Sequence, residues 1–414
     1  MEKFTLSNGL TVLVEPMPYL RSASIGVWVK AGSMLESPAE NGLSHFMEHM
    51  AFKGTPSRSA RQIAEEMDAI GGMLNASTSK LCTNYYAKVI DEDLPVAADI
   101  LADIVCNPLL DPQETDKERG VVLEEISMVE DSPEDVVFDV LAEAVFGEQA
   151  LGQTILGPAD KIAAYQPEDL RAFRRRHYGP KNAVVAIAGN VTPEQVRTLL
   201  EDKFGGWTGA EGEAFPETVA IPHPRKLCRD KDTEQVHLCV SFRGTPMGSK
   251  AVYPMAVLNN ILGGGSSSRL FQRIREEMGM AYSVYSGPSN YPHCGEFTIY
   301  AATSPKHTQT VLAQIDAEIE KLIAGGVEDK EFIQAKSQLK GSFILGLESA
   351  YNRMSTLGHN QILLGRVIPP EDTIAAIERV TKEDVAAIAA QILTSPRAYA
   401  VVGRKAEKYL PYMR

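Results

Sequence analysis

The stretch NGLSHFMEHM (41–50) carries two of the chain's eight histidines with a glutamate between them. His45 and His49 are four residues apart. On a helix that is about 400°, so both imidazoles project from one face, one turn apart. This spacing suits two nitrogen ligands of a single Zn²⁺. Glu48 lies beside the same face, close enough to act as general base on a water at the metal. The helix these residues imply is otherwise mainly apolar (Leu43, Phe46, Met47, Met50, Phe52). Two imidazoles and a carboxylate on such a helix are costly unless something compensates them.

A catalytic zinc takes three protein ligands and keeps one position open. No other histidine has a comparable setting, but DPQETDKERGVVLEEISMVED (111–131) supplies carboxylates. Asp111-Pro112 reads as an N-cap followed by proline in the first turn of a helix. Glu118 and Glu125 are seven apart, about 700°, and so share a face two turns apart, with Glu124 about 100° off it. Glu125 is therefore the better third ligand, and Glu118 can reach the same site as the carboxylate that orients a histidine. Taken alone, the stretch reads better as a solvated acidic face. The order His-x-x-Glu-His is a zinc-protease signature, inverted from the commoner one.

The elements around these residues recur. SASIGVWVKAGS (22–33) alternates like a strand and is followed by the histidine helix; EQVHLCVSFRGT (234–245) is followed by YPMAVLNNILGG (253–264). TNYYAKVI with LPVAADILADIV matches GEFTIYAA with HTQTVLAQIDAEIEKLI. The 111–131 helix matches 328–349, and the helix–strand pair ending in AVVAIAGN matches the one ending in AYAVVGR. Five matches in one order indicate a duplication. Strands exceed what βαβ alternation needs, so the expected fold is α+β: two homologous domains, each a mainly antiparallel sheet with helices on one face. The segment 209–227, with Pro, Gly and no apolar period, is expected to link domain 1–208 to domain 228–414. The second half has Asn259 and Asn260 where the first has its motif. GGGSSS (263–268) lacks the lysine of a phosphate loop and follows a helix, so it is not read as one.

Composition narrows the classes. At 414 residues and a net charge of −13, the chain disfavours nucleic acid and anionic membranes as partners. Five scattered cysteines form no CxxC pair, which argues for a reducing, cytoplasmic compartment. The N-terminus reads as strand–turn–strand (FTL, Ser7-Asn8-Gly9, LTVLVE), without signal- or transit-peptide character.

HFMEH, followed after 125 − 49 = 76 residues by the glutamate of ERGVVLEE, resembles the pitrilysin family of inverted-motif zinc metallopeptidases, which includes insulin-degrading enzyme and mitochondrial processing peptidase. NGLSHFMEHMAFKGT, GGMLNASTS, YYAKVIDED and GGGSSSRLFQRIREEMGMAYSVYS also look like family blocks, in the family's order. The resemblance, to a short two-domain bacterial-type member, implies that His45, His49 and Glu125 bind one Zn²⁺ per chain. It implies Glu48 as general base and Glu118 as the supporting acid. Arg275 and Tyr282 match the family's Arg/Tyr pair, which stabilises the oxyanion. GGMLNAS looks like its exposed edge strand, where Asn75 and Ala76 would contact a peptide substrate. Larger relatives fuse four such domains, so two imply a homodimer, or a heterodimer with a related chain, whose Arg/Tyr pair reaches the opposite zinc site. Leu81 and Asn84 stand where many relatives have a glutamate and a cysteine, which leaves subsite preference open. The implied activity is endoproteolysis of peptides or unfolded segments in an enclosed chamber. One alternative is a non-catalytic or processing-peptidase-like core subunit, although such subunits usually lose a ligand. Another is a small metal-dependent lyase, against which the length, the duplication and the Arg/Tyr block argue.

Overall fold

The computed structural model describes residues 1–219 and 225–413; positions 220–224, within the expected linker 209–227, and position 414 lie outside the described residues. Eleven strands among the described residues form two sheets. The first contains β1 (Glu2–Thr5), β2 (Thr11–Pro16), β3 (Ser22–Val29), β4 (Met73–Thr78), β5 (Thr83–Ile90) and β6 (Ala183–Gly189), in the order β1-β2-β6-β3-β5-β4. The second contains β7 (Lys226–Asp230), β8 (Val236–Arg243), β9 (Ala281–Asn290), β10 (Gly295–Thr303) and β11 (Ala398–Gly403), in the order β7-β11-β8-β10-β9. Each has one parallel pair, β2 with β6 and β7 with β11; the other pairs are antiparallel. Strand for strand, β2-β6-β3-β5-β4 repeats as β7-β11-β8-β10-β9. The fold is α+β, and the duplication extends to its topology.

The helices differ from expectation in one respect. Alternate residues of the first sheet (Ile25, Val27, Val185, Ile187) join the main core with the histidine helix Leu43–Ala51 and the helix Leu94–Cys106. The intervening residues (Trp28, Val184, Ala186) are also buried, under Ala350, Met354 and Leu357 of the helix Ala350–Leu364. In the second sheet the helix Pro133–Phe146 packs on β7, β8 and β11, opposite the core that Leu238, Val240 and Val401 share with the helix Val252–Leu262. Helices therefore cover both faces of each sheet, not one. The compact units are interleaved in sequence: one comprises Met1–Ile126, Thr154–Pro216 and Ile344–Val367, the other Ser127–Gln153, Glu217–Phe343 and Ile368–Arg414. No helix among the described residues is long and apolar enough to cross a membrane.

Candidate metal centre

The histidine helix begins against a buried carboxylate. Glu36 accepts from the backbone N–H groups of Gly42 at 2.9 Å and Ser44 at 2.6 Å and from Asn41 Nδ2 at 3.2 Å. N–H groups that a helix start leaves free are thereby satisfied by a group suited to its positive end. Gly42 has φ 100° and no room for a Cβ, which would meet Leu156 O at 2.7 Å; glycine meets both demands. Leu43, Phe46, Met47 and Met50 fix the helix in the core. The second supporting element is the helix Pro112–Asp131, which buries Thr115, Glu118 and Val122.

Between these helices three ligand atoms converge. Glu125 Oε2 lies 3.6 Å from His45 Nε2 and 3.3 Å from His49 Nε2. The three potential ligand atoms lie within 4.8 Å of one another, the one such cluster among the described residues. His49 Nδ1 donates to Glu118 Oε1 at 2.8 Å, and Lys53 Nζ pairs with Glu118 Oε2 at 2.6 Å. That bond places the His49 proton on Nδ1 and leaves the Nε2 lone pair facing Glu125. Burial, then the neighbouring His49, lowers His45 to about 4, so its imidazole is neutral. Burial pulls His49 down, but its hydrogen bond to Glu118 and the surrounding carboxylates outweigh this and raise it. Burial raises Glu118, but His49 and Lys53 outweigh it, and the net shift is downward. Two imidazole nitrogens and a carboxylate oxygen are a donor set that fits zinc.

Glu48 stands on the same helix, half-buried, and accepts from the Thr78 hydroxyl at the end of β4. Burial raises its pKa, against the lowering effect of that hydrogen bond. β4 is the free edge of its sheet and carries Asn75 and Ala76. Arg275 and Tyr282 belong to the other unit. There Arg275 Nη1 donates to the Tyr282 carbonyl at 2.9 Å and the guanidinium lies 4.6 Å from the Tyr282 ring centre, while Tyr282 is 74% exposed. They line a cavity of about 440 Å³ with Asn259, Gly264, Phe271 and Ser286. Asn259 accepts from Ser286 Oγ at 2.7 Å, and no metal cluster forms in this unit among the described residues.

The structure thus gathers His45, Glu48, His49, Glu118 and Glu125 in one unit and pairs Arg275 with Tyr282 in the other. Sequence reasoning missed Glu36, Lys53 and Thr78. Lys53, four residues beyond His49, offered a spacing signal; the other two offered none.

Residues 11–159 match the family model described as Insulinase (Peptidase family M16), and residues 164–339 match the one described as Peptidase M16 inactive domain. The chain is 42% identical over 402 residues to the uncharacterized zinc protease YmxG of Bacillus subtilis, covering 97% of this chain and 98% of the relative. It is 39% identical over 416 residues to a zinc protease of Streptomyces coelicolor, covering 99% and 90%. Among solved structures, a protease from Helicobacter pylori superposes with a TM-score of 0.89 at 23% identity, covering 97% of this chain and 98% of that one. An M16 inactive-domain protein from Pseudomonas fluorescens gives 0.90 at 19%, with the same coverage. The two structures show the fold; the sequence matches, over nearly the full length of the relatives, show that this chain belongs to peptidase family M16, the pitrilysin-type zinc metalloproteases.

Proposed function

We propose that the protein is an endopeptidase for peptides and unfolded segments, with one zinc per chain held by His45, His49 and Glu125. The observation that carries this reading is the convergence of these three ligand atoms beside Glu48. Bound zinc supplies Lewis acidity toward the scissile carbonyl and the attacking water. Glu48 takes the water's proton and delivers it to the leaving amine. Glu118 holds the His49 ring with Nε2 forward. The free edge of β4, at Asn75 and Ala76, offers main-chain groups to an extended substrate. Arg275 and the exposed Tyr282 donate to the oxyanion as it forms.

Two units of this kind leave the site incomplete in a closed-chamber enzyme, so the active form is a dimer in which the Arg/Tyr pair of one protomer serves the zinc site of its partner. The five cysteines are free, which supports a reducing compartment such as the cytoplasm. Match of residues 164–339 to a model described as an inactive domain favours a second reading, a non-catalytic or processing-peptidase-like subunit.

A quenched-fluorescence library of unstructured peptides, with a folded domain as control, separates the two. Internal cleavage of the peptides and none of the folded control is expected. Zinc-loaded protein that cleaves neither supports the second reading. Mixing Glu48→Gln with Arg275→Ala protein under subunit exchange tests the dimer. Recovery of about a quarter of wild-type activity is expected if dimers form at random; no recovery after confirmed exchange contradicts it.

A further inference from the structure

We infer that Thr78 is a positioning residue for Glu48, with Thr83 as the alternative acceptor of its hydrogen, and that it ties the substrate-binding edge strand to the general base; this rests on the function proposed above. Thr78 and Thr83 are direct cross-strand partners at the end of β4 and the start of β5. Thr83 is fully buried and its hydroxyl donates to the Ala31 carbonyl at 2.7 Å. A threonine hydroxyl has one hydrogen, so that of Thr83 is committed, and its oxygen can only accept. Thr78 Oγ1 lies 3.1 Å from Thr83 Oγ1 and is also hydrogen-bonded to Glu48 Oε2.

The hydrogen count then fixes direction. While Glu48 is a carboxylate, Thr78 donates to it and holds one of its oxygens, leaving the other for the water. Once Glu48 carries the water's proton, Thr78 can turn its hydrogen to Thr83 Oγ1 and accept from Glu48. Glu48 thus keeps a partner before and after the transfer, with no rearrangement beyond hydroxyl rotation. Because Thr78 is also a residue of β4, the backbone that would pair with substrate is the backbone that carries this hydroxyl.

The test compares wild type, Thr78→Val, Thr78→Ser and Thr83→Val in peptide cleavage, with bound zinc measured in each. Valine keeps the shape and strand preference of threonine but removes the hydroxyl. Loss of a hydrogen bond to a charged group predicts that Thr78→Val lowers kcat on the order of 10–100-fold, with KM and zinc content little changed. Thr78→Ser should restore most of kcat, and Thr83→Val should fall between. In the metal-free protein, the Tm shifts of Thr78→Val and Glu48→Gln should fail to add. Wild-type kcat in Thr78→Val, a serine variant as slow as valine, a loss expressed only in KM or zinc content, or additive Tm shifts would each overturn the inference. If Glu48→Gln kept full activity, the proposed function would fall first; activity lost in Glu48→Gln but intact in Thr78→Val overturns this inference alone.

Discussion

At the scale of single residues, the two nitrogens of His49 have separate tasks. Nδ1 is held by Glu118, which Lys53 pins from its other oxygen, and Nε2 faces Glu125. Glu118→Gln should therefore weaken zinc binding about 10–100-fold, and Lys53→Met should do so less, in a competition assay with a chromogenic chelator; unchanged affinity in both would contradict the arrangement. His49 is raised above 6.5 in the metal-free protein. Zinc needs its neutral form, so apparent affinity should rise with pH through and above 6.5, with proton release on binding. Calorimetry in buffers of different ionisation heat measures this directly, and a binding heat independent of buffer would contradict it. His45, His49, Glu118 and Glu125 were legible in the sequence because each pair sits on one helix, where angular position follows from spacing. Glu36, Lys53 and Thr78 act on residues of other segments, or past the end of a helix. Their roles depend on which segments meet.

At the scale of elements, the sequence displays the duplication that repeats one strand order in both sheets, but not the covering of their second faces. The helices Pro133–Phe146 and Ala350–Leu364 had no place in the repeated pattern. A signal existed: AVVAIAG in β6 and AYAVVG in β11 are almost continuously apolar, as expected of strands buried on both faces. The covering helix fits closely, since a Cβ at Gly358 would lie 2.3 Å from the Trp28 ring. Gly358→Val should cost about 1–3 kcal/mol of stability through overpacking, read as a lower urea midpoint; an unchanged midpoint would show that the helix yields. His177, fully buried at the end of the helix Pro167–His177, is lowered to about 4 by burial and then by Arg176. The unfolded chain protonates it near 6.5. Between about 6.5 and 4 the unfolded state binds more protons, so stability falls as pH drops through that window, by up to about 1.4 kcal/mol per pH unit from this group. His177→Gln should flatten the fall in a series of urea midpoints, and parallel curves would contradict the assignment.

At the scale of the molecule, each compact unit takes in a segment that lies, in sequence, between segments of the other. The fragment 1–219 therefore lacks the helix Ala350–Leu364 and leaves Trp28, Val184 and Ala186 uncovered. It is expected to be unstable alone and to bind a hydrophobic dye; a cooperative, dye-free fragment would contradict this. The division of labour between units follows the same logic. One holds the candidate ligands His45, His49 and Glu125 with the proposed base Glu48, and the other, with Asn259 and Asn260 in the equivalent helix, holds Arg275 and Tyr282. The central claim is that peptide cleavage depends on zinc at His45, His49 and Glu125, with Glu48 as the base. Zinc titration of metal-free wild type and Glu48→Gln, following bound metal and peptide cleavage together, tests it most directly. Both proteins should saturate at one zinc per chain, and only wild type should gain activity, in proportion to bound zinc. Cleavage by zinc-loaded Glu48→Gln, or a wild type that binds its zinc and cleaves nothing, would contradict the account.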